Sequence, residues 1–334
     1  MNRTLRSSFA AAAGLTLLLT ATFVVSLTLG VADVSWSQLP YLLFGGGDVG
    51  DQLVIFQIRM PRAAVAMLVG AGLAVAGTLL QGLSRNDLAS PATVGVEAGS
   101  GLGLMLLIVV MPTVAARHPI FAPLASIAGA LAIAALVFTL AYREGSILPA
   151  RLLLVGIAVG YGIQAAMLML SLRMNYVTYS HVLNWMSGSL SSADWSSARM
   201  LAIPLAAVAL LAYGRAQVLN VMAIGDEAAS SLGVAVHRER LTMIALAGLL
   251  TSLCAAVAGQ IGFIGLVAPH LARKLVGGDY RAVIPVSGLC GALLLLLGDS
   301  LGRHFFRSVE LPAGVFVGVL GGGYFLYLLA TTKN

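Results

Sequence analysis

"AAVAMLVGAGLAVAGTLLQGL", residues 63–83, decides what kind of fold this chain adopts. The stretch holds no ionisable side chain, and about 20 such residues in a helix cross a hydrocarbon core about 30 Å thick. Gly70, Ala74 and Gly77 recur along it at three- and four-residue spacing, the small-residue pattern that lets helices approach closely in lipid. Comparable apolar runs lie near 9–31, 98–113, 121–142, 152–171, 199–214, 241–258, 260–275, 282–301 and 312–331. The reading is all-α: a polytopic membrane protein with about ten transmembrane helices in a single domain, residues 1–334.

Composition points the same way. The chain is 59% hydrophobic and 10% charged, with a mean hydropathy of +0.95, whereas soluble domains carry about 25% charged residues. The first run, Ala10 to Val31 behind Arg3 and Arg6, exceeds the roughly 7–15 residues of a signal-peptide core and is read as a retained span. Ten spans put both termini on one side. Placing alternate connections inward gathers twelve of the 19 Lys and Arg there, among them Arg85, Arg151, Arg215, Arg238, Arg240 and Arg273, so both termini are expected in the cytoplasm. The net charge of +6 therefore reports topology, and no basic run suits nucleic acid. Cys254 and Cys290 sit within apolar runs, where a thiol is a small buried hydrophobe.

Between two of the runs lies a compact polar island, "MAIGDEAASSLGVAVHRERL", residues 222–241. Asp226 suits an N-cap and Gly233 a C′ position, which predicts a short helix over Glu227–Leu232. Ala228, Ala229 and Leu232 would share a small apolar face, fit either for the lipid interface or for a groove on a soluble partner. The chain offers no nucleotide site of its own. Its two lysines, Lys274 and Lys333, follow no glycine-rich phosphate loop, so an ATP-driven process would need the ATPase as a separate subunit, with the island as its seat.

At the start of the second span stands "RMPR", Arg59 to Arg62. Pro61 suits a first helical turn, and the i, i+3 spacing puts both guanidinium groups on one side. Cations at a helix N-terminus oppose the macrodipole by roughly 0.3–1 kcal/mol each, so carboxylates of an external partner, or lipid phosphates, are expected to compensate. Arg303 could join this surface or pair with Asp299 one turn earlier.

Taken together, "RMPRAAVAMLVGAGLAVAGTLLQGLSRNDLASPATVGVEAGSGLG" (59–103), "GDEAASSLGVAVHRERL" (225–241), "GQIGFIGLVAPHLARKLVGGDYR" (259–281), "PVSGLCGALLLLLGDSLGR" (285–303) and "LPAGVFVGVLGGGYFLYLL" (311–329) resemble the FecCD-type (type II) permease subunits of ABC importers for iron-siderophores, haem and cobalamin. The resemblance covers nearly the whole chain. It implies a transmembrane permease of the bacterial plasma (inner) membrane that pairs with a second permease, identical or a sister chain, with two ABC ATPase subunits beneath and a periplasmic or lipoprotein substrate-binding protein above. Ferric siderophore is the favoured cargo, with haem or cobalamin the alternative. By matching positions, Arg59, Arg62 and Arg303 look like binding-protein docking residues, and Gly225, Asp226, Glu227, Ala228, Ala229, Leu232 and Gly233 like the ATPase coupling segment. Asn86, Leu88, Pro149 and Ala150 resemble the cytoplasmic gates. Asp87 stands where the family usually has Pro, and Glu97 where it has small neutral or amide side chains. For Glu97 three readings stay open: an effect on a cationic ligand, a pairing with Arg85, or a solvated interface position.

Two rival classes are weaker. An intramembrane enzyme would need Ser100 within reach of His270 or His304, and their expected depths disagree. An ion-coupled carrier would need carboxylates or broken helices near the midplane, and only Glu97 and Asp299 approach that. No catalytic residue, cofactor or metal site is expected.

Overall fold

The computed structural model describes residues 3–30, 34–118, 120–143, 146–147, 149–172, 174, 176–305 and 311–331. The end of the molecule expected in the cytoplasm is called inner here, and the opposite end outer. Helix α1 (Arg3–Thr28) is followed by short α2 (Leu39–Leu43) and α3 (Val49–Leu53), a wider π-type turn at Val54–Arg59, and α4 (Met60–Ser84). Then come α5 (Val96–Val110), α6 (Pro112–Arg117), α7 (Phe121–Ala141), α8 (Pro149–Ser171) and α9 (Tyr176–Met186). The chain continues through α10 (Trp195–Gly214), α11 (Ala216–Ile224), α12 (Asp226–Ser231), α13 (Val236–Ala258), α14 (Ile264–Val276), α15 (Tyr280–Phe305) and α16 (Ala313–Thr331). A two-residue antiparallel pair, β1 (Tyr142–Arg143) with β2 (Ser146–Ile147), closes the turn between α7 and α8.

Each of the ten apolar runs lands on a helix, but they are not ten equal spans. Among the described residues seven helices are long and apolar enough to cross a membrane, and Val96–Val110 and Ala313–Leu326 are shorter. The run at 260–275 is a correction: α14 has only 13 residues and ends in Arg273 and Lys274. The cause is local. Gly259 takes φ +72°, and a Cβ there would lie 1.9 Å from the Trp185 carbonyl oxygen, so α13 stops. The next residues run non-helically beside the end of α9, with the Gln260 N–H donating to Trp185 O at 3.2 Å.

The reading of "RMPR" as a helix start holds for the regular α-helix, which begins at Met60 with Pro61 in its first turn. A π-type turn and α3 continue the helical path back to Val49. Pro61 removes one helical N–H and its ring crowds the preceding turn. The wider turn at Val54–Arg59 immediately before it is where the backbone takes up the misfit.

Helix α4 is the hub, buried over most of its length and packed by α15, α13, α14 and α10. The small residues do what the sequence implies. A Cβ on Gly70 would sit 2.2 Å from Gly291 O, and one on Gly77 would sit 1.8 Å from Gly265 O, so α15 and α14 touch α4 backbone to backbone. Thr78 Oγ1 donates to Ser287 Oγ at 2.9 Å across the same contact, a polar link of the kind that joins helices in lipid. Large apolar side chains on α1, α8 and α10, such as Leu17, Tyr161 and Ile203, face outward.

Candidate coupling, gate and docking sites

At the inner end, Gly225 at φ +146° and ψ 155° breaks the chain between α11 and α12, a backbone state open essentially to glycine alone. Helix α12 ends in a two-bond C-terminal motif: Gly233, at φ +84°, donates to Ser230 O at 2.9 Å, and Val234 N–H reaches Ala229 O at 3.0 Å. Gly233 thus holds the C′ place that the sequence suggested. Asp226 does not cap. Gly225 is the N-cap residue, and α12 covers Asp226–Ser231, not Glu227–Leu232. The Asp226 carboxylate is taken instead by two guanidinium groups, Arg85 and, at 2.7 Å, Arg240, because charge-assisted bonds outcompete a neutral backbone N–H.

The expected apolar face is split as well. Ala229 is fully buried, while Leu232 is 67% exposed and Ile224 72% exposed. The outward apolar surface is therefore Ile224 with Leu232, flanked by exposed Glu227 and half-buried Ala228.

Arg85, the residue that ends α4, is one of the two non-glycine residues with positive φ among those described. Its Nε donates to Met222 O at 3.0 Å, so it holds both α11 and α12. The next residue begins the candidate gate loop. Asn86 Oδ1 accepts the Leu88 N–H at 2.9 Å, an Asx turn, and Leu88 is exposed. Asp87 pairs with Arg273 at 2.9 Å, and Gln81 Nε2 donates to the Asp87 carbonyl at 2.8 Å. The turn is ordered by these bonds. The loop meets α8 further along, where Gly156 packs against Val94 and Thr93. Pro149 opens α8 with its side chain outside the described residues, and Ala150 is exposed.

Glu97 is 7% exposed in the first turn of α5 and lines a small cavity together with Ile261, Gly262 and Phe263. That corrects two readings: the group is not solvated, and Arg85 is engaged elsewhere. Sequence reasoning also missed the tie between α11 and the α14–α15 turn. There Asn220 Nδ2 donates to Asp279 at 2.7 Å and Asn220 Oδ1 accepts the Tyr280 N–H at 2.9 Å. The Arg281 N–H and the Asn220 amide hold the Asp279 carboxyl below the usual carboxylate range. The "DYR" order after a Gly pair is the one signal that could have marked Asp279 as a helix-start residue.

At the outer end the structure does bring Arg59, Arg62 and Arg303 together, but buried and internally bonded. Arg62 grips Asp299 through Nε at 3.0 Å and Nη2 at 2.8 Å, and Arg303 Nε reaches the second carboxylate oxygen at 3.0 Å. Arg59 donates to Leu27 O at 2.6 Å and Arg303 to Leu29 O at 3.0 Å, tying in the end of α1. Asp299 has 1% of its side chain exposed. Asp299 thus supplies from within a partner for Arg62 and Arg303, as a buried charge needs. The protease geometry is not assembled. Ser100 is buried on α5, His270 packs edge-on against Tyr324 with ring centroids 6.1 Å apart, and His304 lies beside Phe305.

The profile of the FecCD transport family matches residues 18–331. The chain is 38% identical over 317 residues to the iron(3+)-hydroxamate import system permease protein FhuG of Bacillus subtilis (strain 168), covering 94% of each chain. It is 40% identical over 307 residues to the Fe(3+)-citrate import system permease protein YfmE of the same organism, covering 92% of this chain and 90% of that one. Among solved structures it superposes with a TM-score of 0.83 and 30% identity on a metal-chelate type ABC transporter described in an inward-facing conformation, covering 96% and 98% of the two chains. Fold, span pattern and these similarities agree, and the chain belongs to the FecCD transport family.

Proposed function

We propose that this chain is the permease subunit of an ATP-driven importer of ferric siderophores in the bacterial inner membrane. It pairs with a second permease to enclose the path, seats α12 on one of two ATPase subunits, and receives cargo from an external binding protein. The cargo class is supported by what the relatives named above import. The observation that carries the coupling role is α12 and its flanks, where outward Ile224, the end of α11, and Leu232, just past α12, bracket a helix anchored from behind by Ala229, Arg85 and Arg240.

The physical sequence follows from those ties. A ligand shifts a conformational equilibrium only through different affinity for its two states, so nucleotide binding in the ATPase has to reach the path by displacing α12. Asp226 passes that displacement to Arg85, which ends α4 and begins the gate loop at Asn86 and Leu88; Pro149 and Ala150, at the start of α8, form the second gate. At the outer end the binding protein docks over the Arg59, Arg62 and Arg303 knot, with its acidic side chains toward these arginines.

Uptake of a ferric hydroxamate into proteoliposomes tests the proposal. Transport should require the ATPase subunits, ATP and the binding protein together. Uptake without ATP and without a binding protein would overturn it and favour an ion-coupled carrier.

A further inference from the structure

Asp87 and Glu97 lie ten positions apart in sequence and sit at opposite ends of the same short helix, α14. Asp87 holds Arg273 in the last turn of α14 at 2.9 Å. Glu97 faces the break just before α14 begins, lining a small cavity with Ile261, Gly262 and Phe263. Between them Pro91 packs on Gly265, where an added Cβ would come within 2.9 Å of the Pro91 ring. Gln81 closes the arrangement from α4, donating to Leu266 O at 3.2 Å and to Asp87 O at 2.8 Å while accepting from Arg273.

Helix α14 is suited to be held this way. It is short, the residues before it are free of helical bonding, and Gly277 at φ +81° ends it, so neither end is continuous with a neighbouring helix. We propose that Asp87 and Glu97 are positioning residues that clasp α14 at both ends, so that the gate loop and α14 move as one body when α12 is displaced. This rests on the reading of α12 as the ATPase seat, and it extends that reading: the input reaches Arg85, and the Asp87–Arg273 pair carries it across to α14. Neither carboxylate touches cargo.

The test uses the complete complex, reconstituted with its ATPase and binding protein. Nitroxide labels go on cysteines introduced at Leu88 and Lys274, both exposed, while native Cys254 and Cys290 are buried. The expected Leu88–Lys274 distance distribution is single and does not shift between nucleotide-free and ATP-bound states. Asp87→Asn and Glu97→Gln should each broaden it. Loss of the half-solvated Asp87–Arg273 pair should lower uptake per ATP hydrolysed by up to about fivefold, with the ATPase rate retained. Asp87→Arg combined with Arg273→Asp should restore both readouts, which a merely structural role for either residue would not do.

A native distance that shifts between nucleotide states overturns the clasp. So does an Asp87→Asn protein with native distance and native coupling, or a charge swap that restores nothing. A Leu232→Asp control separates the two readings: if it leaves ATP-coupled uptake intact while the labelled distance stays fixed, the seat on α12 fails and the clasp stands.

Discussion

Helix α4 is tied at both ends by an arginine to a carboxylate, and the two ties differ in their surroundings. At the outer end Arg62 and Arg303 share Asp299, whose side chain is 1% exposed. At the inner end Arg85 and Arg240 share Asp226, whose side chain is 42% exposed. The chemistry is the same, one carboxylate between two guanidinium groups, and water access sets the difference. Removing one partner from a buried pair leaves charge without compensation and costs about 3–5 kcal/mol. An exposed pair is worth about 0.2–1 kcal/mol, little enough to break and remake within a transport cycle. The outer knot reads as a fixed staple and the inner knot as a joint.

The largest expected effect comes from breaking the staple. Asp299→Ala should lower stability by about 3–5 kcal/mol, seen as a lower melting temperature of the detergent-solubilised complex. Native melting in that variant would remove the distinction between the ends. Asp226→Asn should lower melting by less than Asp299→Ala does yet uncouple ATP hydrolysis from uptake, and a variant that transports at the native ratio would mean the joint carries no force. Salt sharpens the contrast. Raising ionic strength from 0.1 M to 1 M shortens the screening length from about 10 Å to about 3 Å, which should weaken coupling through the exposed ties while leaving the Asp299 contribution to melting in place.

The smallest effect belongs to Asp279. Its carboxyl is held below the usual range by the Arg281 N–H and Asn220. Its contribution is therefore complete above the ordinary Asp value of about 3.9 and is lost as pH falls through the lower folded value. Asp279→Asn should flatten the acid limb of the melting-versus-pH curve, and an unchanged limb would show that the tie to α11 adds nothing.

What the sequence made legible follows from range. The apolar runs are legible because lipid demands length and apolarity within one segment, and Gly70, Ala74 and Gly77 because close approach requires small side chains. The Asp299–Arg303 pair, four residues apart, could be seen in advance. Arg62–Asp299 spans 237 positions and Arg85–Asp226 spans 141, so nothing local announces either. Asp226 reads as a cap because capping is a neighbourhood rule, and two arginines beyond that neighbourhood, 14 and 141 positions away, overrode it. The 260–275 run reads as a span because composition carries no record that Gly259 turns to positive φ against Trp185.

The most direct measurement is photo-cross-linking from a benzophenone side chain placed at position 232 in the intact, membrane-embedded complex. An adduct with the ATPase subunit, lost when Ile224 is changed to Asp, is the predicted result. Adducts with lipid alone would contradict the seat on α12 and, with it, the joint at the inner end of α4.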